Sequence, residues 1–142
     1  MIFINIPYFK ENGIYFTLNE ILSAIPESPP IWNFLYFNGT GVLSNNNSII
    51  EFEEMINSSS SGYIIEWNEL KKISEMFYQV YDCLIVGGKN LESITGNKTS
   101  KENFTLSSIV IEIFDSTEVS IGFDNENQLS IFKKKLTLKV VT

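Results

Sequence analysis

The segment Tyr81–Val86 limits what this chain can fold into, because it is apolar at nearly every position. A strand with one face in water alternates apolar and polar residues, whereas a strand covered on both faces is apolar almost throughout. Gly87 and Gly88 follow the segment and end it. The sequence therefore predicts a β-sheet in which Tyr81–Val86 is a central strand.

Further strands are indicated by short runs of β-branched and aromatic residues bounded by turn-forming residues. These runs are Ile2–Ile6, Ile31–Phe37, Tyr63–Trp67, Ser107–Phe114, Glu118–Phe123 and Leu136–Val141. Asn38 and Gly39 form a dipeptide that strongly favours a two-residue hairpin, so we expect a second strand directly after Ile31–Phe37. Residues 115–117 predict another hairpin between the two runs that flank them.

Helices are indicated by capping residues in front of periodic apolar positions. Thr17 and Glu20 form a capping box at the start of a helix that Pro26 ends. Ser48 and Glu51 suggest a second capping box, although a strand over Ser48–Phe52 fits nearly as well. The sequence thus predicts one well-defined helix and one ambiguous segment in its first half.

The second half of the chain predicts two more helices. Asn68 is positioned to cap the first of them. Its apolar stripe, which we interpret as core, contains Leu70, Ile73, Met76, Phe77 and Val80. Asp124–Lys134 predicts the other helix, and the polar segment Lys89–Asn103 predicts a long exposed loop.

These elements do not follow the regular strand–helix alternation of a doubly wound sheet. We therefore predict an α+β fold, with a mostly antiparallel β-sheet and two or three helices packed on one face. A three-layer arrangement is the alternative. A length of 142 residues with 44% apolar content predicts a single globular domain over residues 1–142.

The charge of the chain is unevenly distributed along its length. From Glu11 to Leu70 there are eight acidic residues and no lysine, and the formal net charge is −7. This charge argues against binding to nucleic acid or an anionic membrane, which requires basic side chains. It favours a basic partner, although solubility alone also explains negative charge. Lys133, Lys134 and Lys135 gather near the carboxyl end, so we expect opposite charges on two sides of the molecule.

The sequence also lacks the side chains on which most catalysis depends. It contains no histidine, no arginine and a single cysteine, Cys83, which we expect to be buried and inert. This composition excludes a histidine-based triad and argues against a structural zinc site. Gly87, Gly88 and Lys89 lack the further spacing of a phosphate loop. We therefore expect no enzyme activity, no cofactor and no metal site.

The acidic residues are the remaining side chains that could support catalysis or bind a cation. Glu51, Glu53 and Glu54 are clustered, and paired carboxylates hydrolyse glycosides when their separation and environments are suitable. A second acidic group could bind a divalent cation but lacks the glycine and ligand spacing of a calcium loop. Its members are Asp115, Glu118, Asp124 and Glu126.

The cellular location is inferred from two further features. Residues 1–10 have no basic region before their apolar stretch and no small-residue cleavage site, which argues against a signal peptide. No apolar run approaches the roughly 20 residues needed to span a bilayer. We therefore expect a cytoplasmic protein.

A small, acidic, single-domain chain without catalytic groups is similar in profile to the immunity proteins and antitoxins of bacterial nuclease toxins. The expected function is therefore protein-binding inhibition, in which the chain masks the surface of a basic toxin such as a nuclease. One alternative is a non-catalytic structural or regulatory interaction module. Another is a carboxylate-based hydrolase.

The candidate partner-binding residues are the glutamates of the cation-free stretch and two aromatic residues. They are Glu51, Glu53, Glu54, Glu66 and Glu69, with Trp67 and Trp32 as aromatic anchors.

Overall fold

The computed structural model describes residues 1–43, 48–95, 104 and 106–141, with residues 137–141 described by their backbone alone. Its strands are β1 (Ile2–Pro7), β2 (Ile31–Gly41), β3 (Tyr63–Glu66), β4 (Phe77–Gly88), β5 (Ile109–Phe114) and β6 (Glu118–Phe123). Its helices are α1 (Leu18–Ser23), α2 (Ile49–Ser58), α3 (Trp67–Ser74), α4 (Leu91–Ile94) and α5 (Glu126–Val141).

The six strands of the described chain form one sheet in the order β1-β6-β5-β4-β2-β3. Every neighbouring pair is antiparallel. Tyr81–Val86 lies within β4, between β5 and β2, while β1 and β3 form the two edges. The predicted α+β fold and the predicted central strand are therefore confirmed.

The sheet is covered on both faces, as the composition of β4 requires. Cys83 and Ile85 point into the larger core, which also contains buried side chains of α1, α2, α3 and α5. Leu84 and Val86 point into a smaller core on the opposite face, together with Ile94 of α4. A strand that is apolar on both faces thus has apolar partners on both faces.

The hairpin predicted at Asn38 and Gly39 is wrong. β2 continues through both residues to Gly41, and Asn38 lies opposite Asp82 while Gly39 lies opposite Val80. A Cβ atom on Gly39 would lie 2.7 Å from the backbone oxygen of Gln79. Glycine is therefore required here by the close approach of two strands and not by a turn.

The final strand predicted over Leu136–Val141 is also wrong. α5 begins at Glu126 and continues to Val141. Leu129, Phe132 and Leu136 are all buried and follow helical spacing, so the apolar stripe that anchors the helix extends into the segment predicted as a strand. The alternation after Leu136 was too short to distinguish the two structures.

Helix α3 is shorter than its apolar pattern predicts. It ends at Ser74, and Phe77 and Val80 belong to β4. The predicted cap Asn68 lies inside the helix, because Glu66 occupies the N-cap position without a side-chain capping bond. The spacing of Phe77 and Val80 is compatible with either a helix or a strand. They form a strand because they pair with Gly41 and Gly39 of β2.

Part of the predicted loop Lys89–Asn103 is structured. Asn90 caps α4 by accepting a hydrogen bond from the Ser93 N–H at 3.0 Å. Ile94 then enters the smaller core. Residues 96–103 of the predicted loop lie outside the described residues.

None of the helices in the described ranges has both the length and the apolar character needed to cross a membrane.

Candidate functional site

Helix α2 forms one wall of the site, and its first turn shows why the ambiguous segment after Ser48 becomes a helix. The Ser48 hydroxyl accepts hydrogen bonds from the N–H groups of Ile50 at 3.1 Å and Glu51 at 3.4 Å. These bonds occupy two backbone donors that have no partner within the helix. The helix alternative is therefore confirmed, and the strand over Ser48–Phe52 is wrong.

One side of α2 is fixed to the sheet by side-chain bonds to the β2 backbone. The Glu53 carboxylate accepts a hydrogen bond from the Gly39 N–H at 2.6 Å. The Asn57 side chain accepts from the Phe37 N–H at 3.0 Å and donates to the Phe37 oxygen at 2.8 Å. β3 pairs only with residues 31–34 of β2, so within the described part of the chain the backbone groups of Phe37 and Gly39 on this edge have no strand partner. The side chains of Glu53 and Asn57 bond to these groups instead.

The remaining sides of α2 separate core, groove and solvent. Phe52 and Ile56 are buried in the larger core. Glu51 and Met55 line a surface groove. Glu54 is exposed and lines no part of that groove. Residues four apart lie on the same side of a helix, so Phe52 and Ile56 share the core while Glu51 and Met55 share the groove.

Strand β3 and helix α3 form the other wall of the groove. All four residues of β3 line it, including Glu66 at the start of α3. Glu69 and Lys72 lie one turn apart in α3 and form an exposed ion pair at 3.7 Å. Ile73 and Met76 continue this wall.

The result is a groove of about 630 Å³ with a charged rim and an apolar floor, here called the acidic groove. Glu51, Glu66, Glu69 and Lys72 are the charged residues that line it. Glu66 lies opposite Ile31 in β2, so its side chain points to the face of the smaller core, whereas Glu51 and Glu69 lie on the helices of the larger-core face. Its apolar lining consists of Leu43, Phe52, Met55, Tyr63, Ile64, Ile65, Ile73 and Met76. Such a surface offers both charge and apolar contact to a partner.

The structure brings together three of the five predicted glutamates. Glu51, Glu66 and Glu69 come from α2, β3 and α3 and line one groove. Glu53 is instead bonded to the β2 backbone, and Glu54 faces solvent. The prediction of a single acidic cluster therefore divides into a groove set and two residues outside it.

The two tryptophans lie away from the acidic groove. Trp32 is fully buried, and its Nε1–H donates to the Ser28 hydroxyl and the Pro29 oxygen, both at 3.1 Å. Trp67 is half-buried and stacks on Trp32, with ring centroids 5.7 Å apart. Trp32 therefore belongs to the core, and Trp67 lines a separate shallow depression that also contains Lys89.

Sequence reasoning missed the apolar part of the groove. Met55, Ile73 and Met76 line it; Met55 lies on the same helix as Glu51, Ile73 on the same helix as Glu69, and Met76 follows the end of α3. Helical spacing from Glu51 identifies Met55, and spacing from Glu69 identifies Ile73. Tyr63 and Ile65 had no such signal, because their position depends on the pairing of β3 with β2.

The opposite edge of the sheet has a different charge. A second groove of about 680 Å³ lies beside β1. It is lined by apolar residues together with Lys10, Glu11 and Lys133. Lys133, Lys134 and Lys135 are exposed on α5, which packs on β6 next to β1. The sheet order thus separates these lysines from the acidic groove, but the exposed residues Glu11, Glu118 and Glu126 lie at the same edge as the lysines.

Cys83 and the partly buried Tyr36 are titratable side chains that lie outside the two grooves. Cys83 is fully buried, as predicted, and burial raises the pKa of its thiol. The Tyr36 hydroxyl donates to Glu112 at 3.1 Å, and burial together with that carboxylate raises the pKa of Tyr36. Within residues 1–43, 48–95, 104 and 106–141, no three acidic or thiol side chains are grouped to hold a metal ion.

Comparisons of the chain with models of protein families, with curated proteins and with solved structures found no match. Any role of the acidic groove must therefore be inferred from its own residues.

Proposed function

We propose that this protein is a non-catalytic inhibitor that binds a basic protein partner through the acidic groove. The most specific form of this function is toxin neutralisation, in which an immunity protein or antitoxin masks the surface of a basic toxin domain such as a nuclease. The observation that carries the proposal is a groove that Glu51, Glu66 and Glu69, from α2, β3 and α3, line together with apolar residues of the same elements.

The charge of the groove supports fast and selective association. Three glutamates and one lysine line the groove, within a chain of net charge −7. A surface with one dominant sign attracts an oppositely charged partner and disfavours acidic competitors. The rim therefore contributes mainly to association rate and partner selection.

The floor of the groove supports affinity. Met55 lines the groove and is 46% exposed, so it presents apolar surface to solvent. Binding energy at interfaces is concentrated in residues that become fully buried at the centre, while charged rims contribute less. A basic partner with an apolar residue between its cations fits both parts of the groove.

These features favour inhibition over the two alternatives. A module whose charge serves only solubility needs no convergence of charged and apolar side chains. Hydrolysis by carboxylates requires a general acid in a desolvated site. The side chains of Glu51, Glu66 and Glu69 are exposed.

Co-expression with its genetic neighbours tests the inhibitor function. Immunity genes generally lie beside the genes of the toxins they neutralise, so each adjacent gene is expressed alone and together with this chain. We expect one neighbour to encode a basic toxic protein whose toxicity this chain suppresses in a stoichiometric complex. Toxicity that persists although both proteins are expressed would contradict the proposal.

The role of the groove is tested with matched substitutions. The triple groove variant carries Glu51→Gln, Glu66→Gln and Glu69→Gln. The triple control variant carries Glu92→Gln, Glu118→Gln and Glu126→Gln, which are exposed positions outside the groove. Both lose the same charge, but we expect only the triple groove variant to lose about tenfold or more in affinity. If the two variants bind the partner with equal affinity, the negative charge of the groove serves solubility and not binding.

A further inference from the structure

The outer edge of β3 runs along the acidic groove with unpaired backbone groups. The Trp67 N–H donates to the Pro30 oxygen at 3.1 Å, which makes these two residues a hydrogen-bonded pair. Hydrogen-bonded and non-bonded pairs alternate along antiparallel strands. Ile65 and Tyr63 therefore bond to β2, whereas the backbone N–H and C=O of Ile64 point away from it.

No strand of the described chain pairs with β3 on that outer side. Ile64 has no backbone partner there among residues 1–43, 48–95, 104 and 106–141. The Glu66 N–H points in the same direction as that of Ile64, because the two residues are two apart in the strand. An open edge of this kind is a template for another strand.

We propose that a basic, extended segment of the partner adds to this edge of β3 as a further strand. This inference rests on the proposed function and specifies how the partner is held. Main-chain bonds to Ile64 and Glu66 would provide affinity that does not depend on sequence, and the groove would select the side chains.

The positions of the helices explain how a segment could be selected. Alternate side chains of a strand point to opposite faces, so every second residue of the added strand would point between α2 and α3. Met55, Ile73 and Met76 lie there to receive apolar side chains. The carboxylates of Glu51 and Glu69 lie on the rim, where lysine or arginine side chains would reach them.

The other sheet edge is less suited to the same partner. The Tyr8 N–H donates to the Thr117 oxygen at 3.2 Å, so the alternation turns the backbones of Asn5 and Pro7 outward from β1. Proline has no N–H to offer. The groove beside β1 is lined by Lys10 and Lys133 with one acidic residue, Glu11, so it attracts a basic segment less than the acidic groove does.

Selection from a library of random short peptides displayed on phage provides the probe. The unmodified protein is the target, and enriched peptides are synthesised and their affinities measured. We expect enriched sequences that place lysine or arginine at alternate positions. Enrichment of acidic peptides, or of none, would contradict both this inference and the proposed function.

Ile64→Pro removes the outward N–H and leaves the bonds to β2 in place, because proline is tolerated at an edge where its ring faces solvent. We expect this variant to lose at least about tenfold in affinity for the selected peptides. Ile64→Ala controls for the lost side chain and keeps the N–H. Asn5→Pro places the same residue on the outer side of β1 and should leave the affinity unchanged.

Two further results separate strand addition from binding at the rim alone. In the unmodified protein, bound peptide should slow hydrogen exchange of the Ile64 and Glu66 amides, a measurement that does not depend on folding of the proline variant. If the triple groove variant loses affinity while Ile64→Pro binds normally and exchange is unchanged, strand addition is wrong and the proposed function stands. If Ile64→Pro alone loses affinity, strand addition stands without the electrostatic contribution.

Discussion

Glu51, Glu53 and Glu54 lie within one turn of α2, yet their side chains have three different environments. Glu51 lines the acidic groove, Glu53 binds the Gly39 N–H and Glu54 faces solvent. Successive residues of a helix are rotated by about 100°, so neighbours in sequence point in different directions. Equal charge therefore does not imply equal function at the residue scale.

Replacing the two adjacent glutamates separately tests this assignment. Glu53→Ala should lower the free energy of unfolding by about 1 to 2 kcal/mol, because the Gly39 N–H loses a charged acceptor at 2.6 Å. Glu54→Ala should change it by less than about 0.5 kcal/mol. Urea unfolding of both variants measures the difference, and equal losses would show that the Glu53 bond adds no stability.

A second prediction concerns the pH dependence contributed by Glu20. Burial raises the pKa of this carboxyl. Hydrogen bonds from Lys10 and Thr17, together with the positive charge of Lys10, lower the pKa by more than burial raises it, so the pKa lies below its ordinary value of 4.5. A lowered pKa in the folded state stabilises the protein above the unfolded pKa, and this stability is lost as pH falls through the folded value.

Glu20→Gln should therefore be less stable than the unmodified protein at neutral pH by about 1 to 2 kcal/mol, because its 2.6 Å ion pair with Lys10 is lost. The difference should shrink as pH falls below about 4. Urea unfolding at several pH values measures both. A difference that stays constant down to about pH 3 would show that the charge of Glu20 is not the cause.

At the scale of elements, the position of β3 depends on the residues just before it. Gly62 has a φ angle of +83°, and a Cβ atom there would lie 2.4 Å from the Asn33 Oδ1 and 2.5 Å from the Phe34 oxygen. The Asn33 amide also donates to the Ser61 oxygen at 3.0 Å. These contacts fix the entry of β3 and thereby one wall of the acidic groove.

Gly62→Ala should consequently lower the free energy of unfolding by two contributions, the strain of a positive φ angle and the clash of the added Cβ atom. Gly13 provides the control, because it has the same φ angle of +83° but no atom within 4 Å of an added Cβ. We expect Gly13→Ala to cost about 1 kcal/mol and Gly62→Ala about 2 kcal/mol more. Thermal and urea unfolding compare the two, and equal costs would exclude a steric role for the Asn33 contact.

The elements that the sequence predicted correctly have local signals. The Thr17 capping box starts α1, and the turn after β5 forms the predicted hairpin. The elements predicted incorrectly depend on distant partners. Gly39 resembles a turn residue until β4 is placed beside it, and residues after Leu136 resemble a strand until the buried stripe of α5 is continued.

At the scale of the whole molecule, the sheet order separates charge. The acidic groove lies at the β3 edge, and the exposed lysines of α5 lie toward the β1 edge. The spacing of charges along the chain predicted that these lysines lie away from the acidic stretch, but not that Glu11, Glu118 and Glu126 lie beside them. The sequence did not predict the groove, because Glu51 and Glu69 come together only when α2 and α3 pack on the same face of the sheet.

The salt dependence of association tests the central claim most directly. The rate at which the protein binds its basic partner is measured by stopped flow while the ionic strength is raised from about 50 to 500 mM, where screening shortens the range of charge interactions. The proposed groove predicts a fall of about tenfold or more for the unmodified protein and a clearly weaker fall for the triple groove variant. A rate that is indifferent to salt, or a partner that is itself acidic, would contradict the claim that the acidic groove attracts a basic surface.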